Sequence, residues 1–260
     1  MATSSPVHAI PASLINTIVQ GDCIEVMRQL PANNVDFILT DPPYLVNFRD
    51  RFGRKLQNDT DSSWLKPAFA QAYRLLKQDR LMLCFYGWPR AHRFIEAWTQ
   101  AGFRPVGHMV FVKRYTSKTR FVRYQHEQAY LLAKGNPPLP RRAISDVQRL
   151  EYTGNALHPT QKSISALAPI IQAFTQPGDL VLDSFCGSAS TCAAALLTGR
   201  RFLGVELDEE YFQVAVARIE RIRNRIAAKR SCSFPLAHHC ARVPVAPQDA
   251  LTSNVRVIPS

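Results

Sequence analysis

Apolar and polar positions along the chain follow two patterns, one typical of β-strands and one typical of helices. Apolar runs of strand length cover residues 18–22, 35–40, 81–86, 106–112, 128–132, 180–184 and 202–205. Apolar positions spaced for one helix face cover residues 23–30, 64–77, 89–100, 164–174, 191–197 and 209–225. Because strands alternate with helices, we expect an α/β fold with a parallel sheet covered on both faces.

Several segments lack these patterns. Residues 1–14 are small, polar and proline-containing, which predicts a flexible N-terminal arm. The polar stretch 47–63 predicts a long surface loop, which we interpret as a lid. Residues 136–155 are predicted to be irregular, and residues 227–260 to be a disordered or loosely packed tail. The tail lacks paired CxxC spacing, so we expect no metal site at Cys232, His238, His239 and Cys240.

The composition narrows the classes of partner. Hydrophobic residues make up 46% of the chain and charged residues 20%, values typical of soluble globular proteins. No apolar run approaches the ~20 residues that cross a bilayer, and residues 1–11 lack a secretory pattern. We therefore expect a cytoplasmic protein without a membrane partner. The formal net charge of +12 favours a polyanionic partner, although charge alone leaves nucleic acid and an acidic small substrate as equal alternatives.

The sharpest chemical signal is Asp41-Pro42-Pro43-Tyr44, which follows a predicted strand. Ligands of open α/β sheets lie beyond the carboxyl ends of strands, where this tetrapeptide stands. The two proline rings restrict the backbone, so the Asp41 carboxylate and the Pro42 carbonyl form a rigid pair of acceptors for an amino group. Tyr44 offers a plane on which a heteroaromatic ring can stack. An ordinary turn is the alternative interpretation, because Asp and Pro are common turn residues.

A second signal is the strand, small-residue loop and helix start at residues 180–191. Small residues allow backbone N–H groups and a helix N-terminus to approach a ligand closely. Glu206 ends the next predicted strand, where an acid can accept hydrogen bonds from ribose hydroxyls. The loop lacks a complete GxGxxG pattern and a Walker lysine, which favours a nucleoside over a pyrophosphate. Simple packing is the alternative for this segment.

Together the two segments resemble the β-class, permuted amino-methyltransferases of DNA, over roughly residues 18–225. The resemblance implies a Rossmann-like S-adenosylmethionine-dependent methyltransferase fold with a circularly permuted, mostly parallel, seven-stranded sheet. It further implies a catalytic half at residues 15–112, a target-recognition insertion at residues 113–157 and a cofactor-binding half at residues 158–226.

The resemblance also implies roles for single residues. The catalytic residues would be Asp41, Pro42, Pro43 and Tyr44. Gly21-Asp22-Cys23 resembles the segment that contacts the cofactor adenine, and residues 158–162 resemble the stretch that helps to hold its methionine end. The complete set of expected cofactor-binding residues is Asp22, Cys23, Asp41, His158, Thr160, Lys162, Asp183, Phe185, Cys186, Gly187, Ser188, Ser190, Thr191, Glu206 and Leu207.

The implied activity is transfer of a methyl group from S-adenosyl-L-methionine to adenine N6 in double-stranded DNA. Transfer would be direct and in-line onto an extruded base, without metal and without a covalent bond to the enzyme. An Asp-led tetrapeptide goes mostly with adenine N6 in this family, which leaves cytosine N4 or RNA as alternative targets. The resemblance also suggests a prokaryotic, nucleoid-associated protein that can form a homodimer. Such a protein acts either with a cognate restriction endonuclease or without one.

Two positions depart from the family pattern. Ala189 stands where the family usually has a second glycine, and Ser163 where it has a proline. Alanine is disfavoured at positive φ and would place a methyl group beside the cofactor. A DNA-binding or protective module with weakened or lost catalysis is therefore another alternative.

A basic, aromatic segment follows the fourth predicted strand. Its cations can hold phosphates, and its rings can contact bases or fill the space that an extruded base leaves. A solvated hairpin with rings in the core is the alternative. The expected DNA-binding residues are Lys113, Arg114, Tyr115, Lys118, Arg120 and Arg123, with Arg141 and Arg142 beyond them.

Overall fold

The structure, a computed structural model, describes residues 9–48, 57–116, 119–154, 157 and 161–232, with side chains described up to residue 229. Its strands are β1 (Thr17–Gln20), β2 (Val35–Thr40), β3 (Leu76–Phe85), β4 (Arg104–Lys113), β5 (His126–Lys134), β6 (Val147–Leu150), β7 (Leu180–Asp183) and β8 (Arg201–Glu206). Its α-helices are α1 (Cys23–Arg28), α2 (Leu65–Leu75), α3 (Ala91–Ala101), α4 (Ile164–Phe174), α5 (Ser190–Leu197) and α6 (Glu209–Cys232). Short 3-10 turns lie at Ala12–Leu14 and Trp88–Arg90.

The strands form one sheet in the order β1-β8-β7-β2-β3-β5-β4-β6. Strand β5 is antiparallel to β3 and β4, while the other described neighbours are parallel. From β2 the chain continues to β3 on one side of the sheet, and from β7 it continues to β8 on the other. The β2–β7 pair is therefore a switch point, where open α/β sheets bind ligands beyond the strand ends.

Helices cover both faces of the sheet, as the alternation of elements predicts. The side chains of β2 are all buried. On one face Ile38 packs in a cluster with residues of α1, α2 and α3. On the other face Phe37 and Leu39 pack with residues of α4, α5 and α6. Burial on both faces explains why Phe37, Ile38 and Leu39 are consecutive apolar residues.

The expected α/β fold with a mostly parallel sheet is confirmed, but the sheet has eight strands instead of the expected seven. The additional strand is β6, which lies in the segment predicted to be irregular. The sequence did not indicate this strand, because Leu150 is its one buried residue and its apolar positions show no periodicity. Its pairing with the edge of β4 makes it a strand.

Two further boundaries differ from expectation. Helix α2 ends at Leu75 and β3 begins at Leu76, where the pattern predicted helix through residue 77. Helix α6 continues to Cys232, past the expected start of the tail, because Ala227, Ala228 and Lys229 are good helix formers. Residues 1–8 of the arm and 233–260 of the tail lie outside the described residues. Among the described helices, none is both long and apolar enough for a membrane span.

Candidate active site

The tetrapeptide lies directly beyond the carboxyl end of β2. The Tyr44 hydroxyl donates a hydrogen bond of 2.6 Å to Oδ1 of Asp41, which fixes the two side chains relative to each other. Gly87, just after β3, lies against Tyr44, because a Cβ on Gly87 would come within 2.7 Å of the Tyr44 Cβ. The tetrapeptide is therefore held by its own hydrogen bond and by close backbone packing.

A chain of buried ionic contacts leads from Asp41 to β4 and β5. The Lys162 ammonium donates a hydrogen bond to Oδ2 of Asp41 and lies 3.0 Å from Oε2 of Glu127. Lys113 lies 3.4 Å from Oε1 of the same glutamate. Both lysine side chains are only 5% exposed, so water screens these contacts little. We call Asp41, Lys162, Glu127 and Lys113 the ion chain.

The ion chain shifts the pKa values of its members. Burial raises the pKa of Asp41, and the neighbouring Lys162 acts against this rise. Burial would lower the pKa of Lys162, but the carboxylates of Asp41 and Glu127 outweigh it and raise that pKa. For Glu127, burial is outweighed by Lys162 and Lys113, which keep its pKa below the ordinary value. Lys162 therefore stays charged and favours the carboxylate form of Asp41.

A cleft adjoins the tetrapeptide and holds about 990 Å³ of empty space, including solvent at its mouth. Tyr44 and Glu206 both lie on its walls, so the target end and the cofactor end of the predicted site share one cavity. Predicted site residues on its walls are Asp22, Cys23, Asp41, Pro42, Pro43, Tyr44, Phe185, Gly187, Glu206 and Leu207. An open path between the two ends is what a group transfer between them requires.

The residues at the Glu206 end fit the nucleoside part of a cofactor. Glu206 ends β8, and its two oxygens accept hydrogen bonds from the backbone N–H groups of Gly187 at 2.6 Å and Asp208 at 2.9 Å. Burial raises the pKa of Glu206, while these N–H groups favour its charged form. Each oxygen has a further lone pair for a hydroxyl donor. Asp22 also lines the cleft and caps α1 by accepting from the Ile24 N–H at 2.7 Å.

A smaller cavity adjoins the cleft and shares Asp41, Phe185 and Gly187 with it. The remaining described residues of the predicted cofactor set line this cavity: Lys162, Asp183, Cys186, Ser188, Ser190 and Thr191. Asp183 accepts a 3.0 Å hydrogen bond from the Thr40 hydroxyl. Burial raises the pKa of Asp183 to about 7. The two cavities thus bring together every described residue that the sequence assigned to cofactor binding.

Arg218 holds the loop before α5 in place, a role that the sequence pattern did not indicate. The Arg218 guanidinium of α6 donates hydrogen bonds to the Ser188 carbonyl oxygen at 2.8 Å and to the Ser190 hydroxyl at 3.0 Å. Ala189 has a φ of 61°, in the left-handed region, and is fully buried. It lines neither cavity and packs in the core cluster with Cys192. Because its side chain is buried in this cluster, we expect the Ala189 methyl group to lie apart from the cofactor, in contrast to the prediction from the sequence.

Part of the predicted lid is described, and it packs over the cleft. Asp59 is buried and accepts hydrogen bonds from the Val46 N–H at 3.3 Å and the Phe48 N–H at 2.5 Å. The ring of Trp64 lies 5.0 Å from that of Phe185, and both line the cleft. The segment thus forms one wall of the cleft in this structure. Residues 49–56 of the loop lie outside the described part.

A family model described as DNA methylase, N6_N4_Mtase, matches residues 35–217, more than half of the chain. The chain belongs to this family. A candidate methylase of Escherichia coli K12, YubD, is 52% identical to it over 226 residues, which cover 86% of this chain and 100% of YubD. The DNA adenine methyltransferase YhdJ of the same organism is 29% identical over 243 residues, which cover 78% of this chain and 82% of YhdJ. The crystal structure of the M1.HpyAVI–SAM complex has a TM-score of 0.62 and 25% identity, covering 78% of this chain and 98% of that one.

In this DNA methylase, the residues predicted to bind DNA fall into two groups. Arg114, Arg120, Arg123, Arg141 and Arg142 are exposed. Lys113 is buried in the ion chain and Tyr115 is half-buried, with its ring 5.0 Å from that of Tyr152. The prediction that Lys113 holds a phosphate is therefore wrong, because its ammonium faces Glu127 inside the protein.

Three predicted residues, Lys118, His158 and Thr160, lie outside the part that the structure describes. Cys186 is buried beside Cys192, which raises its pKa well above the ordinary value and disfavours a nucleophilic thiolate. The sequence pattern did not indicate Gly87, Arg218 or the role of Glu127. The available signal for Glu127 is that it is the first acidic residue after a long basic stretch.

Proposed function

We propose that this DNA methylase transfers a methyl group from S-adenosyl-L-methionine to N6 of adenine in double-stranded DNA. The observation that carries the proposal is the Asp41–Tyr44 pair on the wall of the cleft that Glu206 also lines. The relative YhdJ, named a DNA adenine methyltransferase, supports adenine as the target. The Asp-led tetrapeptide favours the same base.

Asp41 acts as the acceptor for the target amine. A carboxylate has about four lone-pair sites, and Tyr44 and Lys162 use one on each oxygen of Asp41. The remaining sites, together with the Pro42 carbonyl, can accept the two N–H bonds of an exocyclic amine. This arrangement turns the nitrogen lone pair away from Asp41 and toward the rest of the cleft. Orientation of this kind supplies a large part of many enzymatic rate enhancements.

Tyr44 and Lys162 keep Asp41 in the form that this role needs. The Tyr44 hydroxyl fixes the rotation of the carboxylate, and its ring provides the surface on which the base stacks. Lys162 favours the charged carboxylate, which accepts two hydrogen bonds better than the protonated acid does. S-adenosyl-L-methionine, when bound, supplies an electrophilic methyl group. Glu206 and Asp22 would hold its ribose and adenine, and the residues around Asp183 its methionine end.

Expression in a host without DNA methylation tests the proposal directly. We expect modification-detecting sequencing to find N6-methyladenine at a defined short sequence, and nucleoside analysis of digested DNA to identify the same base. N4-methylcytosine would instead establish the alternative target that the family name includes, and modified RNA alone would exclude DNA as the substrate. Absence of methylation in DNA and RNA would favour the non-catalytic module.

A pair of variants tests the role of Asp41. We expect Asp41→Ala to abolish methyl transfer while cofactor binding, measured by calorimetry, persists. Tyr44→Phe keeps the ring and removes the hydrogen bond to Asp41, so we expect it to retain part of the activity. Full turnover by Asp41→Ala would remove Asp41 from the mechanism. Homodimer formation, a companion restriction endonuclease and a nucleoid location stay predictions.

A further inference from the structure

A tight turn between β4 and β5 carries an aromatic side chain that the fold leaves in solvent. Thr119 and Arg123 pair across the turn, and the Arg120 N–H donates to the Val122 carbonyl oxygen at 3.2 Å. Phe121, at the apex, has a relative exposure of 103%. We call residues 119–123 the hairpin tip. A fully exposed phenylalanine gains no stabilisation from burial in the fold, so its whole ring is available to a partner.

The topology places the hairpin tip at the same edge of the sheet as the tetrapeptide. Strand β5 is antiparallel to β3, and Ala129 near its start pairs with Phe85 at the end of β3. Lys113 at the end of β4 and His126 at the start of β5 therefore lie at this edge, and the hairpin tip lies between them in the chain. Tyr44 lies beyond the end of β2, the neighbour of β3.

Two sets of contacts join the base of this hairpin to the tetrapeptide. The ion chain connects Lys113 and Glu127, on the two strands of the hairpin, through Lys162 to Asp41. On the other side, the Tyr124 ring stacks on Trp88 with centroids 6.1 Å apart and planes at 16°. Trp88 follows Gly87, which packs against Tyr44. These contacts fix the position of the hairpin relative to Asp41 and Tyr44, which would bind the target base.

The chemistry of the hairpin tip matches a DNA base step. Phe121 is flanked by the exposed cations of Arg120 and Arg123, which suit the phosphates on either side of an inserted ring. Phe121 lies three positions before the anchored Tyr124, so the backbone between them spans at most about 10 Å. The grooves of B-DNA are about 8 Å deep, which is a depth of the same order.

Resting on the proposed function, we propose that Phe121 inserts into the duplex and occupies the space that the extruded target base leaves. Apolar side chains inserted between base steps unstack and kink DNA in many complexes. Here the ring stabilises the open duplex by stacking on the neighbouring bases, and it acts before methyl transfer. Phe121 is then a positioning residue for extrusion and touches neither the reacting amine nor the cofactor.

The test compares two short duplexes that contain the target sequence, once sequencing has mapped it. In one duplex the target base is paired normally, and in the other it faces a mismatched base, which weakens its pairing. We expect Phe121→Ala to lower the initial rate of methyl transfer about 10- to 100-fold on the paired duplex, the range that loss of one base–aromatic stack produces. On the mismatched duplex we expect a loss of less than about threefold, because extrusion there needs less assistance.

Leu197→Ala is the matched control. Leu197 is 51% exposed and ends α5 near the start of β8, at the opposite edge of the sheet, so its removal should leave both rates unchanged. Phe121→Trp keeps an aromatic ring and should retain most of the activity. Equal rates for Phe121→Ala and wild type on the paired duplex, or an equal loss on both duplexes, would overturn the inference. If wild type modifies neither duplex, the proposed function itself fails.

Discussion

Removal of the Lys162 charge is the sharpest perturbation of the candidate site, because this ammonium lies between two carboxylates. In Lys162→Met the side chain keeps its length, while Asp41 and Glu127 lose their shared partner. Removal of one member of a buried ion pair costs about 3–5 kcal/mol. The carboxylates of Asp41 and Glu127 keep 19% and 24% exposure, so we expect the lower end of that range or less, about 2–3 kcal/mol of unfolding free energy.

The variant should also change the pH dependence of methyl transfer. Burial already raises the pKa of Asp41, and Lys162 opposes this rise, so loss of the ammonium raises the pKa further. A carboxyl group with a higher pKa ionises only at higher pH. The acid limb of the rate–pH profile should therefore move to higher pH, and activity lost near neutral pH should partly recover in alkaline buffer.

Initial rates of labelled methyl transfer to unmethylated DNA, measured across the pH range, report this shift, and urea unfolding reports the stability. Lys113→Met is the matched control, because it removes the same charge from the far end of the ion chain, where the lysine contacts Glu127 and not Asp41. It should destabilise the protein with a smaller effect on the acid limb. An acid limb in Lys162→Met that coincides with that of wild type would refute the electrostatic role of Lys162.

Three further predictions concern other residues. Gly87→Ala should lower the rate of methyl transfer at least about tenfold, because its Cβ would come within 2.7 Å of the Tyr44 Cβ. Gly107→Ala, with its nearest contact at 3.4 Å, should keep the wild-type rate. Equal rates for the two variants would contradict the close packing of Gly87. Because the pKa of Asp183 is raised to about 7, the folded protein retains a proton there that the unfolded chain releases above about pH 4. Urea unfolding of Asp183→Asn and wild type should therefore show a difference in unfolding free energy that grows in favour of the variant. This difference should rise by up to about 4 kcal/mol from pH 4 to pH 7 and then level off. A difference that does not change with pH would count against the raised pKa. Ala189→Gly relieves about 1 kcal/mol of left-handed strain but removes a buried methyl group of similar worth. Calorimetry should thus find a stability within about 1 kcal/mol of wild type and unchanged cofactor affinity, and a large gain in affinity would place the methyl group in the cofactor site.

Local pattern determined most of the fold. The helical spacing predicted α4 with the observed bounds, Ile164–Phe174, and the apolar run predicted β2 as Val35–Thr40. Both elements can be predicted because periodicity and burial on both faces determine which neighbouring positions along the chain are apolar. The same local information placed Asp41 and Glu206 at strand ends, and strand ends of a parallel sheet meet at one edge. The sequence by itself therefore located the cleft.

Contacts between distant residues decided what local pattern could not. Strand β3 begins directly after α2, where the Lys134 ammonium of β5 donates hydrogen bonds to the carbonyl oxygens of Tyr73 at 2.7 Å and Leu76 at 2.6 Å. Strand β6 exists because β4 offers it an edge. Neither partner is visible in the local sequence, since hydrogen bonds at element ends depend on what the fold brings nearby.

The candidate site was likewise predicted in part from the sequence and in part decided by the tertiary structure. The sequence named Asp41, Tyr44 and Lys162 from two separate motifs, but only the tertiary structure joined Lys162 to Asp41 across 121 positions and added Glu127 between the two lysines. It also placed Lys113 inside the protein and Phe121 outside it, the reverse of what a basic segment and an aromatic ring suggest. Residue type determines which interactions a side chain can make, whereas the distance to a partner, and with it the strength of a charge interaction, is set by the packing of the whole chain.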